Sequence, residues 1–332
     1  MERRYKVRLQ ELLDDAVLEP EQLDGMLERL VEFVEPFANC LERSKQRTLA
    51  QCYVAGLVSQ VKRKNVESIA YHHDQGRQML QKFVGQYTWD HQPLMDELVR
   101  QVAAQLGRAD AVLVFDPSAF PKKGNESVGV QRQWCGRLGK VDNCQVGVYL
   151  AYVSAEEHVL VETRLYLPKS WTRSPARRAK AGVPKEIKFH TRHVLSLEML
   201  DRHAAVLPHA WVAGDDEMGK VPEFRGQLHA RNERYLLAVP SNTLVRDLAA
   251  KPPPYSGRGR LPKSPWLRVD RWCKALPKCA WTVCDVRDGE KGPLVVEATK
   301  IQVRAKSAPG EGFDETLVVI RERQTDGTLK HD

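Results

Sequence analysis

The sequence predicts a mixed α/β protein in three parts. Residues 1–107 read as helices, 108–245 as a sheet that starts antiparallel and finishes parallel, and 246–332 as a β-rich segment. Three observations predict this. Apolar residues recur at helical spacing as far as about residue 107. From 108 onward, three β-rich runs come in succession and then alternate with helical stretches. After 241, a Pro/Gly/basic stretch at 251–260 leads into further strand-like runs.

Leu9, Leu12, Leu13 and Val17, then Leu23, Met26, Leu27, Leu30, Val31, Phe33 and Val34, set the first helical faces, with Pro20 and Pro36 as punctuation. A helix is expected over 44–63, ended by Arg63-Lys64-Asn65. Others are expected over 66–73, 75–85 and 89–105. A helical region on a basic chain could read DNA, although no helix–turn–helix signature places a recognition helix.

In the central part, strands are expected at 111–115, 145–153, 158–167, 211–213 and 235–240, with helices around 191–206 and 222–231. The first strand delivers Asp116 at its carboxyl end. Pro117 has no N–H to give, so regular pairing is expected to stop there. A loop rich in Lys, Gly, Asn and Ser follows at 121–127, carrying Lys122 and Lys123, and leads to Arg132, Gln133, Trp134 and Lys140. Trp211-Val212-Ala213-Gly214-Asp215 repeats the design, an apolar strand ending in a carboxylate. If the two strands are neighbours, Asp116 and Asp215 can share a divalent ion, because adjacent carboxylates demand a cation or a proton. An aspartate that merely caps a turn is the plainer use of each.

The chain has 332 residues and a net charge of +8, which favours a polyanionic partner, nucleic acid before an acidic membrane surface. It is 42% hydrophobic and 28% charged, and no apolar run approaches the ~18–20 residues of a membrane span. Together with the polar amino terminus, this reads as cytoplasmic. The seven cysteines lack short-spaced ligand pairs and read as reduced thiols.

Residues 165–193 form a long basic connection with Lys169, Arg173, Arg177, Arg178 and Lys180, interleaved with Tyr166, Trp171 and Phe189. That composition suits a phosphate backbone and splayed bases. Trp134 and Trp171 could stack on a flipped base, though packing is the commoner job for each. His193, His203 and His209 read as surface or core residues rather than ligands.

The runs Phe115-Asp116, Phe120-Pro121-Lys122-Lys123-Gly124, 127–133 and 139–145, with Leu165-Tyr166-Leu167-Pro168, 181–184 and 211–215, resemble bacterial insertion-sequence transposases of the DDE type. The resemblance implies a ribonuclease H-like core and two Mg²⁺ ions, with Mn²⁺ as substitute, held by Asp, Asp and Glu. It implies strand transfer at DNA element ends by a homodimer associated with the nucleoid. By position, Asp116 and Asp215 are its first two catalytic, metal-binding carboxylates. Neither Asp216 nor Glu217 is assigned a ligand role.

The third carboxylate of that family lies on a late helix. Glu297, Glu315 and Glu322 stand in strand-like or loop sequence, and none matches. The expectation is therefore a truncated chain or a fragment with little strand transfer, or else a DNA-binding regulator derived from a transposase. A plain metal-dependent nuclease on a similar core is the third reading.

Overall fold

In a computed structural model, the protein is described for residues 10, 24–289, 292–307, 310–323 and 329–331. The helical pattern expected before residue 24 lies outside these residues. The described chain forms two compact units. One holds residues 24–109 with His203–Pro208, and the other holds Asp110–Arg202 and the residues from His209 onward.

The first unit is helical: α1 (Met26–Asn39), α2 (Ser44–Val58), α3 (Val66–His72), α4 (Arg77–Gly85) and α5 (Gln92–Leu106). Pro36 lies inside α1 rather than ending it. The second helix stops five residues short of expectation. The Ser59 hydroxyl donates back to Gly56 O at 2.8 Å, and Ser59 is extended. Asn65 opens α3 instead of closing α2, its side chain accepting from Ser68 N at 2.8 Å. Leu41, Leu49, Ile69, Ala70, Leu80 and Phe83 form the core of this unit, with Trp89 stacked on Phe83.

The second unit is built on two sheets. The strands of the first are β1 (Val112–Pro121), β2 (Gln131–Cys135), β3 (Lys140–Val153), β4 (His158–Leu165), β5 (Trp211–Gly214) and β6 (Tyr235–Leu237). Their order is β2-β3-β1-β5-β6, with β4 also on β3. β3 is antiparallel to β1, β2 and β4, while β5 and β6 run parallel to β1. The antiparallel start and parallel finish are thus as expected, and the fold is of the ribonuclease H type. Even-numbered residues of β3, from Cys144 to Tyr152, are buried beside Leu113 and Phe115. α8 (Arg192–His203) and α10 (Pro222–Ala230) serve this apolar face: Phe224 meets Phe115 edge-on and His193 meets Phe224.

The connection between β4 and α8 is not structureless. It contains the short helices α6 (Lys169–Thr172) and α7 (Pro175–Lys180). A further one, α9 (Asp216–Gly219), follows β5. β2 was also absent from the expected strands.

The second sheet has the order β12-β11-β10-β7-β8 with β9 on β10. Its members are β7 (Leu244–Asp247), β8 (Leu267–Arg268), β9 (Thr282–Gly289), β10 (Gly292–Ser307), β11 (Gly310–Arg323) and β12 (Leu329–His331). α11 (Val269–Lys274) follows β8 directly. Val245, Trp272, Trp281, Val303 and Val319 form its own small core. Arg225 of α10 reaches Glu315 of β11 at 2.7 Å, and Tyr235 donates to the same carboxylate at 2.8 Å, which ties the two sheets together.

Candidate active site

The parallel ladder of β1 and β5 pairs Phe115 with Gly214 as its last rung. Asp116 and Asp215 are the next residue on each strand. They therefore stand side by side just past that rung, their backbones about 4.8 Å apart by strand spacing. Pro117 explains why the ladder ends here, but only on one side. Lys122 N–H donates to Asn143 O on β3, and Ala111 O accepts from Ala210 N on the β5 side. By alternation, even residues of β1 bond to β3 and odd ones face β5. The missing N–H of Pro117 therefore falls on the β5 edge, while pairing with β3 runs on to Pro121↔Cys144. The expected stop holds for one ladder and fails for the other.

The two carboxylates are held differently. Asp116 is exposed, faces Tyr149 across β3 and accepts from the Ser118 hydroxyl at 3.1 Å. Asp215 is the N-cap of α9 and accepts from Met218 N at 3.2 Å. Although its side chain reaches solvent, the surrounding protein mass raises its pKa above the ordinary aspartate value. The charges of Glu217, Asp216 and Asp116 push the same way, against the Met218 N–H. That coupling is the electrostatic signature of carboxylates converging on one place. Gly219 closes the turn because a Cβ there would lie 1.9 Å from Ala238 O.

Among the described residues no group of three His, Cys, Asp or Glu is arranged to hold a metal. Glu217 is paired with Arg192 at 2.5 Å, and that guanidinium also donates to Gln133 Oε1 at 3.3 Å and lies over Tyr166. Glu297 is paired with Arg321, Glu315 with Arg225, and Glu322 stands opposite Val296 in the second sheet. His193 contacts Glu217 O at 3.0 Å, His209 contacts Glu233 at 3.1 Å, and His203 is buried.

The basic residues divide into two groups. Lys122, Lys123, Arg132 and Arg173 are exposed. Asn143 fixes the loop of the first two by donating to Lys122 O and Gly124 O at 2.8 and 2.9 Å, and Arg132 reaches Val141 O at 3.4 Å. Lys140 pairs with Asp142 at 3.0 Å, Lys180 with Glu126 at 2.7 Å, and Lys169 lies 5.0 Å over Phe189. Arg177 instead stacks 3.7 Å over Trp171 and donates to Asn125 O and Val130 O. Arg178 donates to Pro184 O and Ile187 O. Trp171 is fully buried, its Nε1 donating to Val130 O at 2.8 Å, so its job is packing. Trp134 is the reverse, 56% exposed on β2.

Sequence reasoning missed Ser118 and the Arg192–Glu217 pair. Ser118 had a signal: two residues from Asp116 on a strand means the same face. Arg192 stood among the basic residues, but nothing local pointed to its partner.

The described residues contain no helix long and apolar enough to cross a membrane. No curated protein matches the chain. The family model for DDE superfamily endonucleases matches residues 36–293, a span that takes in β1, β5 and both aspartates. Endonucleases of this superfamily act on DNA and depend on divalent metal. By that match, on a ribonuclease H-type sheet with paired aspartates at adjacent strand ends, the chain belongs to the DDE superfamily endonucleases.

Proposed function

We propose that the chain is the DNA transposase of an insertion sequence, cutting at element ends and transferring the freed strand to a target. The supporting observation is the side-by-side placement of Asp116 and Asp215 where the parallel ladder of β1 and β5 ends, with Asp215 resisting ionisation beside other carboxylates. Hard oxygen donors that repel one another suit a small divalent cation, and they need its charge more than a further hydrogen bond. Mg²⁺, or Mn²⁺ in its place, would be held by Asp116 and Asp215 with substrate phosphate oxygens, supplying an activated oxygen nucleophile and charge stabilisation for the leaving oxygen.

The chain's own groups do the rest. The Ser118 hydroxyl orients Asp116 and the Met218 N–H orients Asp215. Arg192 balances Glu217 beside them. Lys122, Lys123, Arg132 and Arg173 offer cations to DNA phosphates. Lys140, Lys169 and Lys180 contribute less, since each already has a partner. Arg177 acts indirectly, by bonding Asn125 O in the loop that carries Lys122 and Lys123, and Arg178 by bonding Pro184 O and Ile187 O within the basic connection. The helical unit contributes further DNA contacts, and the enzyme works in the cytoplasm as a homodimer on nucleoid DNA.

One observation favours a second reading. No third acidic residue joins the pair among the described residues. A two-carboxylate site binds metal weakly, so the chain cuts slowly and, in this reading, regulates transposition by occupying element ends. Incubation with labelled element-end DNA and Mn²⁺ separates the two. Robust cleavage lost in Asp116→Ala establishes the enzyme and removes the regulator; tight binding with no cleavage does the opposite. A ladder of random cuts without joined ends refutes both in favour of a plain nuclease.

A further inference from the structure

The two faces of the first sheet are used differently. Leu113, Phe115 and the even residues of β3 point into the core. Asp116 lies on the opposite face, and the register extends that face. Asp116 is opposite Tyr149, Ser118 opposite Gly147, and Phe120 opposite Gln145. Residues paired across a ladder share a face. Asp116, Ser118, Phe120 and Tyr149 therefore lie together on a side of the sheet that is not packed into the core.

Phe120 is 43% exposed, an uncommon state for a phenylalanine in a strand. Its ring sits 6.3 Å from that of Tyr149. Gly147 is what allows this: a Cβ there would lie 2.9 Å from the Tyr149 ring, so the ring lies across Gly147, opposite Ser118 and two residues from Asp116 toward Phe120. The exposed cation Lys122 continues the same row of β1. Phe120 is four residues from Asp116, about 14 Å along the strand, which is at most about four nucleotides of helical rise. Trp134 shares the face but lies about 17 Å from Phe120 by strand geometry, four residues along β3 and two strand spacings across, too far to stack on the same base.

We propose that Phe120 and Tyr149 form a platform on which an unpaired base of the DNA substrate stacks, a few nucleotides from the bond served by Asp116. Lys122 meets the flanking phosphate. This deepens the reading of the chain as a DNA-cutting enzyme, on which it rests, by naming the form of DNA taken: open, not paired, at that position. Sheet faces that combine aromatic rings with neighbouring cations bind single strands in this way, since every base has a face to stack.

The test uses the full chain and element-end DNA in two forms, fully paired and with the terminal bases unpaired. Fluorescence anisotropy measures affinity, and 2-aminopurine at successive unpaired positions reports stacking. Wild type is expected to bind the open form at least about fivefold more tightly, given what one stacked base contributes. 2-Aminopurine should be quenched at one position. Phe120→Ala should lose that preference and the quenching while binding paired DNA as before; Phe120→Trp should restore both. Tyr149→Leu should match Phe120→Ala, with circular dichroism checking its fold. Equal binding of the two forms by wild type, or an undiminished preference in Phe120→Ala, overturns the platform and leaves the enzyme reading standing. Failure to bind DNA in either form overturns both.

Discussion

The two strand ends that carry Asp116 and Asp215 look alike in sequence and are built differently. The first is supported from the side. β1 continues past Asp116 in register with β3, so the carboxylate sits on a strand still held on one edge. The second is supported from below. β5 ends at once, Asp215 caps a one-turn helix, and Arg225 donates to Gly219 O at the end of that turn. Arg225 is held in turn by Glu315 of the second sheet. One tip depends on a neighbouring strand, the other on a chain of polar contacts reaching into another sheet. The same local pattern thus supplies a carboxylate with two different tolerances to change.

The largest effect should erase the difference between the tips. If both aspartates serve one metal, Asp116→Ala and Asp215→Ala should each lower Mn²⁺-dependent cleavage by more than about 100-fold, since losing even a group that only hydrogen-bonds a metal ligand costs about 10–100-fold. A loss confined to one variant in a gel-based cleavage assay would show that the two do not act together.

Breaking the brace should expose the asymmetry. Arg225 is 4% exposed, and removing its partner leaves a buried charge uncompensated. Glu315→Ala is expected to cost about 3–5 kcal/mol by denaturant unfolding. The Tyr235 hydroxyl, whose pKa is raised by burial and by Glu315, loses its acceptor in the same variant. An unfolding free energy unchanged in Glu315→Ala would mean that the second sheet does not support the Asp215 tip.

The pH dependence of the tips should differ next. The folded-state pKa of Asp215 is raised, so ionising it opposes folding. The penalty is absent below the ordinary carboxylate range, grows as pH rises toward the raised value, and is full above it. Asp215→Asn keeps a good helix cap and removes the charge. Without metal it should raise the Tm at neutral pH by at most about 2–4 °C, the effect of about 1 kcal/mol or less for a solvent-reached group. The gain should vanish in acid, and added divalent metal should stabilise wild type but not the variant. A variant less stable than wild type at neutral pH by calorimetry would contradict the crowding of carboxylates there.

How much of this could be read beforehand depends on how local each cause is. The two Asp-tipped strands were legible because apolar runs and their stops are local, and the antiparallel start and parallel finish of the sheet followed from the alternation of elements. The effect of Pro117 was half legible, because which edge loses the N–H depends on the register of two partners. β2 was hidden: Gln131-Arg132-Gln133-Trp134 is a polar run with an exposed ring, and only its partner β3 makes it a strand. The α7 helix had a signal that went unused. Ser174 caps it and Pro175 stands at its first turn, but the basic residues around them suggested a loop. The splitting of the cations into exposed and internally bonded groups could not be read at all, since Arg177 finds Val130 O 47 residues away in sequence.

The smallest effect concerns the tip with the lighter support. The Ser118 hydroxyl donates to Asp116 at 3.1 Å, in a bond open to solvent. An exposed bond adds little to stability, so Ser118→Ala should change the unfolding free energy by less than about 0.5 kcal/mol. Its work is orientation. Without the hydroxyl the carboxylate turns freely, and metal affinity should fall by about tenfold, the low end for a group behind a ligand. Ser118→Thr keeps the oxygen on a strand that accepts β-branched residues and should restore most of the affinity. Met218 offers no such handle, because Asp215 is held by a backbone N–H that no side-chain substitution removes. Isothermal titration of Mn²⁺ into Ser118→Ala and Ser118→Thr therefore measures how far the first tip relies on its own side chain where the second relies on its fold. Equal affinities in wild type and Ser118→Ala would place the orientation of Asp116 in the β1–β3 ladder alone.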